Sequence, residues 1–228
     1  FHTHAYIDAL RRANGGTEVD VEMLQHGIGS PENPVFRGVY DFSALSATAS
    51  LAAARLMLGG AAATFNPCGG FHHAHRDRAS GFCYANDIAI AIDELRRGGL
   101  RVAYLDIDAH HGDGVQDAYF ADASVLAISI HETGKTLFPW GGFERETGQG
   151  AGLGYNVNVP LEPGADEDTE LEIPLERVQH HHAHAKAGWH CMASAILSRG
   201  RCAGWACIPP SPVGITSSVK HIGRPSMA

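Results

Sequence analysis

The sequence predicts an α/β domain built on a central parallel sheet, and three observations carry that prediction. Helical and strand-like patterns alternate along the first two thirds of the chain. Two apolar runs of strand length, "RVAYLDID" (101–108) and "SVLAISIH" (124–131), are separated by a short segment, and a third run, "YNVNVPL" (155–161), alternates at period two. A length of 228 residues with 44% hydrophobic content suits one sizeable core and is short for two. Strands alternating with helices imply a parallel sheet with right-handed crossovers, and in such sheets the active site lies beyond the carboxyl ends of the strands.

The elements follow in order. "HAYIDALRRANGG" (4–16) places Ala5, Ile7, Ala9 and Leu10 ahead of a Gly-Gly stop and reads as a short helix. "SALSATASLAAARLMLGG" (43–60) is a longer helix, rich in alanine and leucine and ended by Gly59 and Gly60. "AAATFN" (61–66) reads as a buried strand feeding the loop "PCGGFHHAHRDRASGFCY" (67–84). "NDIAIAIDELRRGG" (86–99) is the clearest helix, with Asn86 or Asp87 as its cap, Ile88, Ile92 and Leu95 on one face, and Gly98-Gly99 as its end. "GQGAGLG" (148–154) precedes a strand rather than joining strand to helix, so it reads as a flexible loop and not a dinucleotide site.

Composition excludes several functions. A net charge of −8 with no Lys/Arg cluster leaves no footprint for direct nucleic-acid binding. No stretch reaches the roughly 18 apolar residues of a membrane helix, since Arg55 interrupts the best candidate. The five cysteines, Cys68, Cys83, Cys191, Cys202 and Cys207, are odd in number and lack a disulfide-framework spacing, which points to a reducing, cytoplasmic setting. The chain opens at Phe1 and shows no signal peptide, so the expectation is a start inside a longer protein.

The chemistry gathers in "LDIDAHHGDG" (105–114). On a strand that ends there, Asp106, Asp108 and His110 fall at i, i+2 and i+4 and point to one side, while Gly112 and Gly114 let the backbone carry His111 and Asp113 around a turn. The loop one strand earlier holds His72 and His73 and shares the same sheet edge, which brings them to face Asp106 and Asp113. A carboxylate bonded to one imidazole nitrogen fixes the tautomer and raises the basicity of the other, as a general base near neutral pH requires. Asp and His from one strand end also suit a divalent metal that activates water. Buried charges cost several kcal/mol each (~) unless paired or metal-bound, so a merely solvated acidic turn is the weaker reading for this cluster. His26 and His131, each isolated, read as ordinary surface or core groups, and for His72-His73 the alternative is a structural role or a zinc site with Cys83.

These segments carry a resemblance. "GGFHHAHRDRASGFCYANDIAIAI", "VAYLDIDAHHGDGVQDAYF" and "VLAISIHETGKTLFP" resemble the histone deacetylase superfamily, and "HGIGSPENPVF" with "FERETGQGAGLGYNVNVPL" looks most like its bacterial acetoin utilization branch, over residues 1–171. The resemblance implies a three-layer arginase/deacetylase-like α/β fold with a central parallel sheet, incomplete here. It implies that Asp108 and His110 are two of three ligands to Zn²⁺, or to Fe²⁺ in its place. His73 matches the general base with Asp113 as its partner, and His72 matches the neighbouring electrostatic histidine with Asp106 as its partner. The main-chain carbonyls of Asp106, Asp108, His110 and Ile130 and the Ser129 hydroxyl correspond to a structural K⁺ site. Phe82 and Phe138, with Gly81 beside them, match the walls of a narrow acetyl-lysine channel, and Glu32 an acidic rim residue. The implied reaction is removal of acetyl from an acetylated protein or a small acetylated amine.

The remainder departs from that pattern. Residues 1–176 hold all 25 acidic groups and 11 of the 17 basic ones, whereas 177–228 hold no Asp or Glu, three of the five cysteines and six of the fifteen histidines. The family's later aspartate ligand and its Gly-flanked tyrosine have no counterpart there, the last tyrosine being Tyr155. Two regions are therefore expected: a deacetylase catalytic domain over 1–171, and an atypical tail over 172–228 that is out of frame, foreign or disordered, with a His-rich metal-binding tail as the alternative. The expected activity is an impaired zinc deacetylase; the alternative is a non-catalytic truncated scaffold or a metal-binding or interaction protein. The sheet is expected to lose its later strands.

Overall fold

The computed structural model describes residues 1–165, 190–195 and 204–208. In chain order the regular elements are α1 (His4–Arg12), α2 (Val21–Gln25), α3 (Val39–Leu58), β1 (Thr64–Asn66), α4 (Asp87–Arg97), β2 (Val102–Asp106), α5 (Asp113–Tyr119), β3 (Val125–Glu132), β4 (Asn156–Leu161), β5 (His190–Ala195) and β6 (Gly204–Ile208). The helices start where short polar side chains can satisfy free N–H groups. Asn86 Oδ1 accepts from the Ala89 amide at 2.9 Å to open α4, and Asp20 Oδ1 accepts from Met23 at 2.7 Å to open α2. The longest helix, α3, begins at Val39, four residues before the predicted start, because Gly38 takes the left-handed turn (φ 87°) that redirects the chain into it.

The sheet runs β1-β6-β5-β2-β3-β4. Strands β2, β3 and β4 are mutually parallel, as predicted; β5 is parallel to β2, while β6 is antiparallel to both β5 and β1. Two expectations need correction. β1 is three residues long with Phe65 65% exposed, so "AAATFN" is a short edge strand and not a buried one. Strands β5 and β6 lie within 172–228, so this stretch extends the sheet where the loss of later strands was expected. "HCMASA" has no β-branched or period-two signature; its place is set by main-chain pairing along β2, from Val102 opposite His190 to Asp106 opposite Ser194.

The core explains how the site is positioned. One sheet face presents Val102 and Tyr104 of β2 and Val125 and Ala127 of β3 to Ala53, Ala54 and Met57 of α3, Ile88, Ala91, Ile92 and Leu95 of α4, and Val115 and Tyr119 of α5. Full burial of each Ile or Leu there contributes about 1.5–3 kcal/mol. The opposite face carries Leu126, Val157 and Val159 with partly buried Ala103, Ile128 and Ile130, and among the described residues no helix joins that cluster. On the helix-covered face the strands turn polar toward their carboxyl ends, through Asp106, Ser129 and His131, and β4 adds Asn156 and Asn158. That is the edge on which the sequence concentrates its ionisable groups.

Candidate active site

Strand β2 stops at Asp106, so alternation along a strand does not deliver Asp108 and His110. Their convergence comes from two successive carboxylate-capped turns: the Asp108 amide donates to Asp106 Oδ1 at 3.0 Å, and the His110 amide donates to Asp108 Oδ1 at 2.7 Å. Each aspartate thereby fixes the backbone two residues ahead. Asp113 then opens α5.

Both anticipated dyads form. His72 Nδ1 donates to Asp106 Oδ2 at 2.6 Å, and His73 Nδ1 donates to Asp113 Oδ1 at 2.7 Å, with the two imidazole centroids 4.0 Å apart. The loop carrying them is pinned from behind, since the fully buried Asp87 accepts from the amides of Gly70 (3.0 Å) and Phe71 (2.9 Å). Burial opposes charge on His72, but the Asp106 carboxylate outweighs it and raises His72 to about 9. Asp106 itself is held below the ordinary carboxylate range: burial would raise it, and the His72 charge and the hydrogen bonds from His72, Tyr104 and the Asp108 amide prevail. For His73 burial wins, reinforced by the adjacent cation on His72, and the value falls to about 4. At neutral pH the pair is thus one imidazolium and one neutral ring whose Nε2 lone pair is available to take a proton.

The dyad rings border a cavity of about 770 Å³ lined by Glu32, Phe42, Phe71, His72, His73, Gly81, Phe82, Asp108, His110 and Phe138, among others. Eight residues singled out from the sequence therefore share one cavity, while Asp106 and Asp113 stand behind its histidines. Phe138 packs edge-on against His73 at 5.1 Å and lies 6.4 Å from His110. Glu32 Oε1 accepts from the Gly81 amide at 2.8 Å, tying the rim to the loop of Gly81 and Phe82. Both adopt positive φ (54° and 61°), and a Cβ on Gly81 would collide with the His73 ring. Phe82 is 68% exposed, at the mouth. Ser129 and Ile130 are not part of this cavity. Ser129 sits opposite Asp106 in the β2–β3 register, its hydroxyl 2.8 Å from His131 Nδ1, and Ile130 lines a smaller depression with Asp108.

Asp108 Oδ1 and His110 Nδ1 are 3.0 Å apart, an oxygen and a nitrogen donor of the kind a divalent metal takes. Among the described residues, no group of three or more His, Cys, Asp or Glu is arranged to hold a metal ion. A catalytic zinc normally has three protein ligands, so the described residues do not complete such a centre. Nor does Cys83 form one with His72 and His73: it is buried, its thiol bonded to the Gly81 carbonyl at 3.4 Å and its pKa pushed up by burial. His131, 1% exposed, is a satisfied core group, its Nε2 2.9 Å from the Gly142 carbonyl. The "GQGAGLG" segment packs closely, its Gly152 lying against the backbone of Phe120–Asp122.

Sequence reasoning missed three partners. Tyr104 donates its hydroxyl to Asp106 Oδ2, a contact its i−2 position on the same strand face announces. His75 approaches Asp113. Gln116 joins His111, Asn156 and Asn158 to Glu146 in a buried network that no local motif signals.

A largely parallel sheet with two Asp–His dyads at its carboxyl edge, bordering an aromatic-lined cavity, defines the class. The histone deacetylase domain model matches residues 1–193, and the chain belongs to that family. It is 42% identical over 151 residues to the acetoin utilization protein AcuC of Bacillus subtilis (strain 168), covering 65% of this chain and 39% of that protein. It is 41% identical over 152 residues to histone deacetylase 8 of Xenopus tropicalis, covering 66% and 41%. The crystal structure of a histone deacetylase homologue from Aquifex aeolicus superposes with a TM-score of 0.68 at 39% identity, covering 73% of this chain and 45% of that one. The chain thus has the arginase/deacetylase fold in incomplete form and spans about 40% of the length of these two curated relatives.

Proposed function

We propose that this chain carries the substrate channel and the proton-handling half of a deacetylase that hydrolyses linear amides, acting on acetyl-lysine in a protein or on a small acetylated amine. The observation that carries the reading is the pair of adjacent dyads at the floor of the cavity, one charged and one neutral. In it, His73 accepts the proton of the attacking water at Nε2, Asp113 holds the tautomer that leaves Nε2 free, and His72 supplies a fixed positive charge beside the developing oxyanion. Phe82 and Phe138 flank the acetyl-lysine side chain, Gly81 leaves room for the His73 ring, and Glu32 meets the substrate at the rim.

Asp108 and His110 are assigned as two ligands of a divalent metal, zinc or iron(II), and the carbonyls of Asp106, Asp108, His110 and Ile130 with the Ser129 hydroxyl as a potassium site. The described residues offer only two donors to such a metal, so turnover by this chain is expected to be impaired. The same shortfall favours the competing reading, a non-catalytic deacetylase scaffold. The reading places the chain in the cytoplasm, without direct contact to nucleic acid or membrane.

The test reads binding and turnover in one sample. Saturation transfer from the protein to the acetyl methyl of an acetyl-lysine peptide should be seen and should weaken in Phe138→Ala, with slow acetate release that His73→Gln abolishes. Absence of any transfer to the acetyl methyl would overturn the proposal. Binding without release, unchanged by His73→Gln, would leave the scaffold reading in its place.

A further inference from the structure

His73 uses only one oxygen of Asp113, and the other has a partner that the reaction as described does not employ. His75 Nε2 lies 3.4 Å from Asp113 Oδ2, and His75 Nδ1 lies 3.1 Å from Asp117 Oδ2. Asp113 and Asp117 are one turn apart on α5, where two carboxylates four residues apart repel. A single imidazole therefore bridges two like charges on one helix face. The ring is held for the purpose: His75 is 7% exposed, and its amide donates to the Arg78 carbonyl at 3.0 Å.

We infer that His75 is a positioning residue that clamps Asp113 through its second oxygen, with Asp117 as the outer anchor, and so fixes the tautomer and orientation of His73. This rests on the roles given to His73 and Asp113 above. Without the clamp, Asp113 keeps the His73 contact and the Gly114 amide at 3.0 Å, both on Oδ1, and Oδ2 is left free to rotate the carboxylate. One further contact bears on the charge of His75, because Arg78 Nη2 lies 2.9 Å from the same Nε2. Two N–H donors cannot point at each other, so the Arg78 contact belongs to a neutral imidazole and the Asp113 contact to an imidazolium. Burial and Arg78 disfavour the charged ring, but the neighbouring carboxylates of Asp113 and Asp117 outweigh them and raise His75 to about 9, in keeping with the ion-pair distances to both.

The test reads the His73 tautomer in long-range ¹H–¹⁵N spectra of protein labelled with ¹⁵N-histidine, the resonances being assigned by their loss in His73→Gln. The wild-type protein should show His73 as the Nδ1–H form. His75→Leu should lose that exclusive signature and give a mixture with the Nε2–H form. His75→Lys, whose ammonium reaches both carboxylates, should restore it, which a merely space-filling role would not allow. Asp117→Asn, at an exposed position that spares the fold, should give a partial loss. An unchanged Nδ1–H signature in both His75→Leu and Asp117→Asn would overturn the clamp while leaving the dyad intact. A wild-type His73 that is not Nδ1–H would overturn the dyad and the clamp together. Acetate release plays no part in this readout, so failure of the clamp and failure of the deacetylase reading are told apart.

Discussion

Replacing Asp106 by Asn tests whether the charged dyad is what the geometry says it is. Asp106 is fully buried and accepts three hydrogen bonds, from His72, Tyr104 and the Asp108 amide. Asparagine keeps much of the shape and removes the charge. His72 then loses the largest counter-charge opposing its burial, and its raised value falls. A histidine whose folded-state pKa lies above its unfolded one contributes stability that is fully present below the unfolded value and is lost as pH rises through the folded value. From 6.5 to about 9 is a difference worth up to about 3 kcal/mol at 1.36 kcal/mol per unit. Urea unfolding of wild type and Asp106→Asn at a series of pH values reads this directly. The gap between the two should be widest near pH 6, narrow from about pH 7 upward and lose that component above about pH 9. A gap that is flat between pH 6 and pH 10, or that grows toward alkaline pH, would refute an imidazolium paired with Asp106.

Two further outcomes follow from the same geometry. Gly81→Ala combines a backbone at φ 54° with a Cβ that meets the His73 ring, so it should cost about 1–3 kcal/mol in thermal unfolding and displace His73, lowering acetate release more than peptide binding. Ile92→Ala, at a completely buried position of α4 remote from the cavity, should cost about 2–5 kcal/mol in urea unfolding while leaving acetyl-peptide binding unchanged under native conditions.

The long elements were legible because their signals are local. α4 declares itself by the Asn86 cap and an apolar stripe, and β2 and β3 by apolar runs. Short helices were not legible: α2 and α5, of five and seven residues, are too brief to display a full amphipathic period, and α5 is hidden inside the motif that supplies Asp113. The reversed direction of β6 and the recruitment of β5 depend on pairing across the sheet rather than on their own residues. For the site, the residue types were readable and their means of assembly was not. Asp106, Asp108 and His110 look like an alternating strand, yet the strand ends at Asp106 and hydrogen bonds to successive aspartates do the rest. His75 sits in the same "HHAH" run as the dyad histidines, but only the approach of α5 shows that it faces Asp113.

That approach bears on why two histidines with similar partners carry opposite charge. Their rings are 4.0 Å apart, and two unit charges at such a distance repel by about 4 kcal/mol at an effective dielectric constant of 20, so only one of the two is readily charged. Which one is decided by the balance of burial against the carboxylate behind each ring. Among the described residues Asp106 meets no other cation: its further partners are the neutral Tyr104 hydroxyl and a main-chain amide, and its charge acts on His72. Asp113 faces His75 as well as His73, and its pull on His73 falls short of the burial and of the His72 cation that oppose charge there. His73 is thus left as the ring that stays neutral, with its Nε2 lone pair toward the cavity. The asymmetry follows from the burial of His73 and from the cation already held on His72. A lysine at position 75 should preserve it, and an apolar residue there should bring His72 and His73 into closer competition for the single charge.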